Sequence, residues 1–427
     1  MSISGRRRVR GDDSEYGSRV FRTVFRFFAS FDFMQLAALS FLLGVGALFV
    51  YSTGAQVGDG TRSIFFHRQL LWIGVGFIIY FAAAIPDYRK PLFKVLTVLF
   101  YLVVIALLVL VLFIGVRVHG ATRWLNVGVL RLQPAEFAKS ALILLLASVF
   151  SSRLFDINRW PSQLLCVAVT ALPLLLIAKE PDFGSSMVLV PIFSVMLFCA
   201  GLRWRTLLIV MLLAAGLVTG AVLCELYYRP LLKKYQRNRI LTFLSPDSDQ
   251  RRSGYNVYQS KLAVGSGGLT GKGLSEGTQN ALGFLPRNVA NNDFIFSVIA
   301  EETGFVGSLL LIIGYLLLFT AILRCAFRAS EPFGSGVAVG AAAMLFTHVF
   351  INIGMSIGLV PVTGLPLPFV SYGGSFVLSG MALLGVLQSI YRHSGEASPS
   401  PSAIPAGEAG DIYSSYHPLN FGGTSGK

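Results

Sequence analysis

The sequence predicts an all-α fold: a polytopic membrane bundle of about ten helical spans with one large extracytoplasmic segment. Three observations carry that expectation. Hydrophobic residues make up 54% of the chain and charged residues only 13%, with a mean hydropathy of +0.66, whereas a soluble domain gives roughly a quarter of its residues to charge. Apolar runs long enough to cross a bilayer core of about 30 Å recur along nearly the whole length. Lipid offers no water to open backbone groups, so such runs must close their hydrogen bonds internally, as helices.

The first 32 residues are polar and arginine-rich, with RRRVR at Arg6 to Arg10. The first apolar run follows at Phe33 to Val50, too long and too far into the chain for a cleavable signal peptide. Further spans are expected at Leu70 to Ala84, Leu92 to Ile114, Ala135 to Phe150, Leu164 to Ile177, Ser186 to Ala200, Leu207 to Leu226, Phe305 to Leu323, Val337 to Leu359 and Phe376 to Tyr391. Together they predict a membrane domain over residues 33–393, preceded by a basic cytoplasmic segment (1–32) and followed by a Ser-, Pro- and Gly-rich tail (394–427) expected to be disordered.

An even number of spans puts both termini on one side. Assigning the Arg-rich start to the cytoplasm also places Arg89, Lys90, Arg153, Arg159, Arg203, Arg205, Arg324, Arg328 and Arg392 there, as the positive-inside rule requires. The opposite side then receives the Gly115 to Pro134 loop, a long segment from Tyr227 to Asp293 and the Pro361 to Ser375 loop. Orientation and anionic head groups account for the net charge of +14 better than nucleic acid does. The four cysteines, Cys166, Cys199, Cys224 and Cys325, show no metal-ligand spacing and read as packing residues.

Ionisable residues at membrane depth cost several kcal/mol unless paired or wetted, so each is a functional hypothesis. Glu136 and Lys139 stand three apart at the start of the fourth span, on one helical face, either as a purely structural ion pair or as part of a site. Arg123, Trp124, Arg131 and Gln133 crowd the same outer mouth, and two arginines with a lysine suit a diphosphate. In KEPDFGSS, assigned to the far side of the bundle, Asp182 precedes a helix and could serve only as its cap. Lys272 lies in a glycine cluster (Gly265, Gly267, Gly268, Gly271, Gly273) whose spacing is not that of a nucleotide P-loop. Asp293 ends the polar segment, either as a cap or as a reactive carboxylate. Glu301 and Glu302 follow about two turns later, at the expected membrane edge.

The strings GATRWLNVGVLRLQPAEFAK, EPDFGSS, QSKLAVGSGGLTGKGLSEGTQ, DFIFSVIAEETGFVG and PVTGLPLPFVSYGGS occur in this order. With them the chain resembles the SEDS family of shape, elongation, division and sporulation proteins, the RodA and FtsW polymerases. YQRNRILTFLSPDSD and the glycine-rich string are similar to the elongation-type, RodA-like branch. The resemblance implies a ten-span glycosyltransferase at the outer face of the bacterial cytoplasmic membrane. It would act on lipid II and work with a class B penicillin-binding protein. It also implies that Asp293 is the essential aspartate and that Trp124, Arg131, Glu136 and Lys139 are functionally sensitive. One departure stands before Asp293, where this chain carries LPRNVANND, with Arg287 after Pro286 and two extra residues.

The implied reaction joins the 4-hydroxyl of GlcNAc to the anomeric carbon of a MurNAc leaving from undecaprenyl diphosphate, in one inverting displacement. Asp293 would be the base, with Arg131, Lys139 and Lys272 neutralising the diphosphate. A divalent cation, Mg or Mn, could share that task. Two rivals stand: a lipid II flippase, which would also use Glu136 and Lys139 but for which the sequence lacks convincing inverted halves, and a non-enzymatic scaffold for the penicillin-binding protein, which would require no carboxylates facing the outer mouth.

Overall fold

The protein was analysed as a computed structural model that describes residues 29–54, 62–118, 121–127, 130–152, 155–206 and 253–394, together with a few single positions. Nine of the ten expected spans are helices: α1 (Phe33–Thr53), α2 (Arg62–Ala84), α3 (Pro91–Ile114), α4 (Pro134–Phe150), α5 (Trp160–Lys179), α6 (Phe183–Cys199), α10 (Ile295–Arg328), α11 (Pro332–Ser356) and α12 (Gly374–His393). The tenth, Leu207 to Leu226, the basic start and the tail lie outside the described residues. Between α6 and α10 lie α7 (Ser253–Ser266), α8 (Thr278–Ala281) and α9 (Arg287–Ala290).

The local chemistry of the helix starts follows the sequence. Asp32 caps α1 by accepting from Met34 N at 3.0 Å and Gln35 N at 3.4 Å. Proline at the first turn opens α3, α4, α5 and α11, where its missing N–H has no helical partner to lose. Several helices carry large apolar side chains outward, such as Leu92, Leu99 and Phe113 on α3, as expected when the solvent is lipid. The interior is built from α1, α2, α4, α10, α11 and α12. Where α12 crosses α2, Gly385 admits the Tyr80 carbonyl, since a Cβ there would stand 2.4 Å from that oxygen.

Three features depart from expectation. The Gly115 to Pro134 loop is a small antiparallel sheet, β1 (Val116–Val118), β2 (Ala121–Val127) and β3 (Leu130–Leu132), in the order β1-β2-β3. Its alternating residues pair across a hairpin that hydropathy does not register. The eighth span, expected from Phe305, is preceded by a helical stretch from Ile295, the two meeting across a kink at Gly304. Buried Glu301 and Glu302 and a break at Gly304 (φ 64°, ψ −158°) interrupt the apolar run that marked its start. The stretch before Asp293 that departs from the family pattern forms the single helical turn α9 (Arg287–Ala290).

Candidate functional site

Four elements converge on the loop between α11 and α12. At its start, Thr363 O abuts the beginning of α6, where a Cβ on Gly184 would stand 2.8 Å from it. Gly364 (φ 77°) faces the Asp293 carboxylate, with Oδ2 at 3.5 Å from the place of its missing Cβ. Asn352 Nδ2 donates to Leu365 O at 2.8 Å, and His348 Nδ1 bonds Pro366 O at 3.2 Å. Tyr315 Oη donates to Pro368 O at 2.6 Å. Ser371 Oγ donates to Asn292 O at 2.6 Å, and Tyr372 N to Asn291 O at 3.0 Å. Gln133 N donates to Ser375 Oγ at 3.0 Å. The loop is a braced platform, its carbonyls at Leu365, Pro366 and Pro368 each held by a side chain.

The sheet supplies one side of the mouth. Val116 pairs with Trp124 but Arg117 with Thr122, so Arg123 is the extra residue of a β-bulge, a device that re-aims a side chain. Its guanidinium turns to the loop between α5 and α6, donating to Pro181 O and standing 3.6 Å from Asp182 Oδ1. Gln133 Nε2 also donates to Asp182 Oδ2, at 2.8 Å. The KEPDF loop is therefore beside the sheet and not on the far side of the bundle. Asp182 does cap α6, accepting from Ser185 N at 3.2 Å, so capping and ion pairing are both true of it. Glu180 is buried, with neither carboxylate oxygen hydrogen-bonded. Burial and the neighbouring Asp182 push its carboxyl up to about 8, against the pull of Arg123.

Arg131, on β3 opposite Asn126, is exposed and forms no ion pair among the described residues. The two arginines thus part: Arg123 is held by Asp182, and Arg131 faces the mouth with the half-buried Trp124. Beneath the sheet, α4 carries Glu136 and Lys139, joined at 2.7 Å with side chains 5% and 0% exposed. The pair is a trio, because Lys139 Nζ also stands 3.0 Å from His348 Nε2. Lysine has no acceptor, so His348 Nε2 accepts and its proton resides on Nδ1, the atom that meets Pro366 O.

Glu301 and Glu302 are both buried, under the glycine-rich segment. Glu301 Oε1 accepts from Lys272 Nζ at 2.7 Å, Thr278 Oγ1 at 3.0 Å and Gln279 N at 3.1 Å. Ser52 Oγ donates to the Glu302 carboxylate, 2.6 and 2.7 Å from its two oxygens, and Ser275 N reaches Oε2 at 3.0 Å. Lys272, expected on the diphosphate, pairs here with Glu301 while its side chain stays 27% exposed. Among the described residues no group of three or more His, Cys, Asp or Glu is gathered as a metal site.

Asp293 lies one residue before Phe294, the N-cap of α10, which has no side-chain bond to give. Its carbonyl accepts from Asn352 Nδ2 at 2.9 Å, and its side chain is half-buried. Sequence reasoning passed over His348 and Asn352. The signal was there: both are polar, four residues apart, in the apolar run of α11.

The fold and this mouth define a class, a multi-pass helical membrane protein with a charged, loop-braced site at one end of the bundle. Residues 33–396 match the family model of FtsW, RodA and SpoVE, described as cell cycle proteins, and the chain belongs to that family. It is 38% identical over 365 residues to the peptidoglycan glycosyltransferase MrdB of Escherichia coli (strain K12), covering 84% of this chain and 93% of that protein. It is 31% identical to the peptidoglycan glycosyltransferase RodA of Treponema pallidum, over 85% of this chain and 98% of that one. Among solved structures it resembles a chain of a peptidoglycan synthase complex that coordinates polymerization and crosslinking. That match has a TM-score of 0.70 and 29% identity, covering 86% of this chain and 99% of the other. It also resembles the rod shape determining protein RodA of Thermus thermophilus, with a TM-score of 0.63 and 27% identity, covering 86% of this chain and 98% of that one.

Proposed function

We propose that this protein is a peptidoglycan glycosyltransferase that polymerises lipid II at the outer face of the bacterial cytoplasmic membrane, with Asp293 as general base. The observation that carries the assignment is a division among carboxylates. Glu136, Glu301, Glu302 and Asp182 are buried, whereas Asp293 is half-buried, against Gly364 of the platform loop and outside the cap position of its helix. A carboxylate there can take the proton of the acceptor 4-hydroxyl as that oxygen attacks the anomeric carbon. The bond to the diphosphate breaks and its electrons leave with the diphosphate. Arg131, exposed beside Trp124, suits the departing charge, and guanidinium grips phosphate oxygens in pairs. The outer orientation follows from the basic loops at the other end of the bundle. Crosslinking falls to a separate penicillin-binding protein, because the sequence carries no transpeptidase Ser-x-x-Lys domain.

The test is incubation of the purified protein on labelled lipid II, with and without that partner, and gel separation of the glycans. Wild type alone should give uncrosslinked polymer. Asp293→Asn should lose about a hundredfold to ten-thousandfold in rate, as loss of a general base does, while still copurifying with the partner. Retention of more than about a tenth of wild-type rate would remove Asp293 from the role of base.

A further inference from the structure

Two side chains of α11 hold the platform loop at adjacent carbonyls. His348 Nδ1 reaches Pro366 O at 3.2 Å and Asn352 Nδ2 reaches Leu365 O at 2.8 Å. Asn352 Nδ2 has two hydrogens, and the second goes to Asp293 O at 2.9 Å. One buried amide thus joins the backbone of Asp293 to the strand of loop whose Gly364 lies against the Asp293 carboxylate. One turn down the same helix face, His348 is fixed in its Nδ1–H form by the Lys139 ammonium, and Lys139 by Glu136.

We propose that Asn352 and His348 are positioning residues for Asp293, and that the Glu136–Lys139 pair acts on the reaction through them and not on the diphosphate. This rests on Asp293 being the base. The physical reason is directional. Asn352 can satisfy two carbonyl oxygens only as a donor, and each bond fixes one side of the gap that the carboxylate occupies. His348 can hold Pro366 O only with its proton on Nδ1. A neutral imidazole keeps it there because Nε2 is occupied by a group that can only donate. Lys139, on α4, is fully buried against His348 and Phe376, so its reach toward the mouth is through the imidazole. Residues that hold a reacting group within a fraction of an ångström govern rate far more than affinity, and a misplacement of about 1 Å costs on the order of a hundredfold.

Four variants test this by steady-state polymerisation of labelled lipid II, with melting temperature and partner copurification as controls of folding. Asn352→Asp keeps the shape but presents two acceptors to two carbonyls. It should lower kcat about a hundredfold with KM for lipid II within about threefold of wild type. Asn352→Ala, which removes the bonds without adding a charge, should lower kcat at least tenfold. His348→Asn places an amide donor near the Nδ1 position and should retain most of the rate, whereas His348→Ala should lose it by about tenfold. Wild-type kcat in both Asn352 variants, or equal loss in His348→Asn and His348→Ala, would overturn the proposal. A rise in KM with unchanged kcat would also overturn it, by placing these residues in substrate binding. Asp293→Asn, run in parallel, separates the two claims. If it is dead while the Asn352 variants are active, only the positioning inference falls. If it is active, the base assignment falls first.

Discussion

Two lysine–glutamate pairs flank the mouth, and they have the same length but different work. Glu136 and Lys139 are three residues apart on α4 and buried to 5% and 0% exposure, while Lys272 and Glu301 come from segments 29 residues apart, with Lys272 27% exposed. Nitrogen and oxygen stand 2.7 Å apart in both. The first pair is inside the bundle and ends on His348, so its charge is read by a ring that braces the platform loop. The second clips a loop to the helix beneath it, sharing Glu301 with Thr278 and Gln279. Bond length alone does not separate the two; the dielectric around each pair and the third partner do.

The sharpest way to break that comparison is to remove each lysine. Lys139→Met leaves Glu136 buried without its cation, which costs about 3 to 5 kcal/mol, and should abolish measurable polymerisation. Adding Glu136→Gln should restore much of the melting temperature and little of the activity, because His348 still lacks its donor. A double variant with wild-type activity would reduce the pair to packing. Lys272→Ala is the milder change. Solvent reaches the ammonium, and Glu301 keeps two other donors, so the expected cost is about 1 kcal/mol with less than a tenfold loss of rate. A hundredfold loss at an unchanged melting temperature would return Lys272 to the diphosphate.

Glu180 sharpens the comparison from the other side, as a buried carboxylate with no lysine. Its carboxyl is raised from the ordinary 4.5 to about 8 by burial and then by Asp182. Between those values the folded protein holds a proton that the unfolded chain has lost, so the stability tied to that proton is full below 4.5 and is lost as pH rises through about 8. Melting curves on either side of the window should show wild type falling by on the order of a few kcal/mol. Glu180→Gln should be flatter and, on the alkaline side, more stable. Identical pH profiles would place Glu180 in contact with water. The smallest expected change is topological: a thiol at exposed Glu276, introduced as Glu276→Cys, should react with a membrane-impermeant maleimide in intact cells without any loss of polymerisation.

The membrane class and nine span positions were legible because lipid imposes one rule on every residue of a span. Glu136, Lys139 and Asp182 were legible for a related reason, since charge in an apolar setting needs a partner. What was hidden depends on contacts between distant segments. Arg123 and Arg131 look equivalent in TRWLNVGVLRL, yet one bulge residue sends Arg123 to Asp182 and leaves Arg131 at the mouth. Lys272 looked available until the fold brought Glu301 beneath it. Asn352 and His348 carry no net charge in the reading given to them, and only their carbonyl partners reveal their use.

The break at Gly304 has a reach beyond its own helix. Lys272 N and Gly273 N donate to the carbonyls of Glu301 and Glu302, while Phe305 N and Val306 N donate to Gly268 O and Leu269 O. Each segment thus completes the hydrogen bonding that the other cannot complete alone. Neither can leave without stranding the other's polar backbone away from water. Helix break and glycine loop are therefore a single cooperative unit, whose amides should exchange with deuterium together and whose residues are constrained to change in concert.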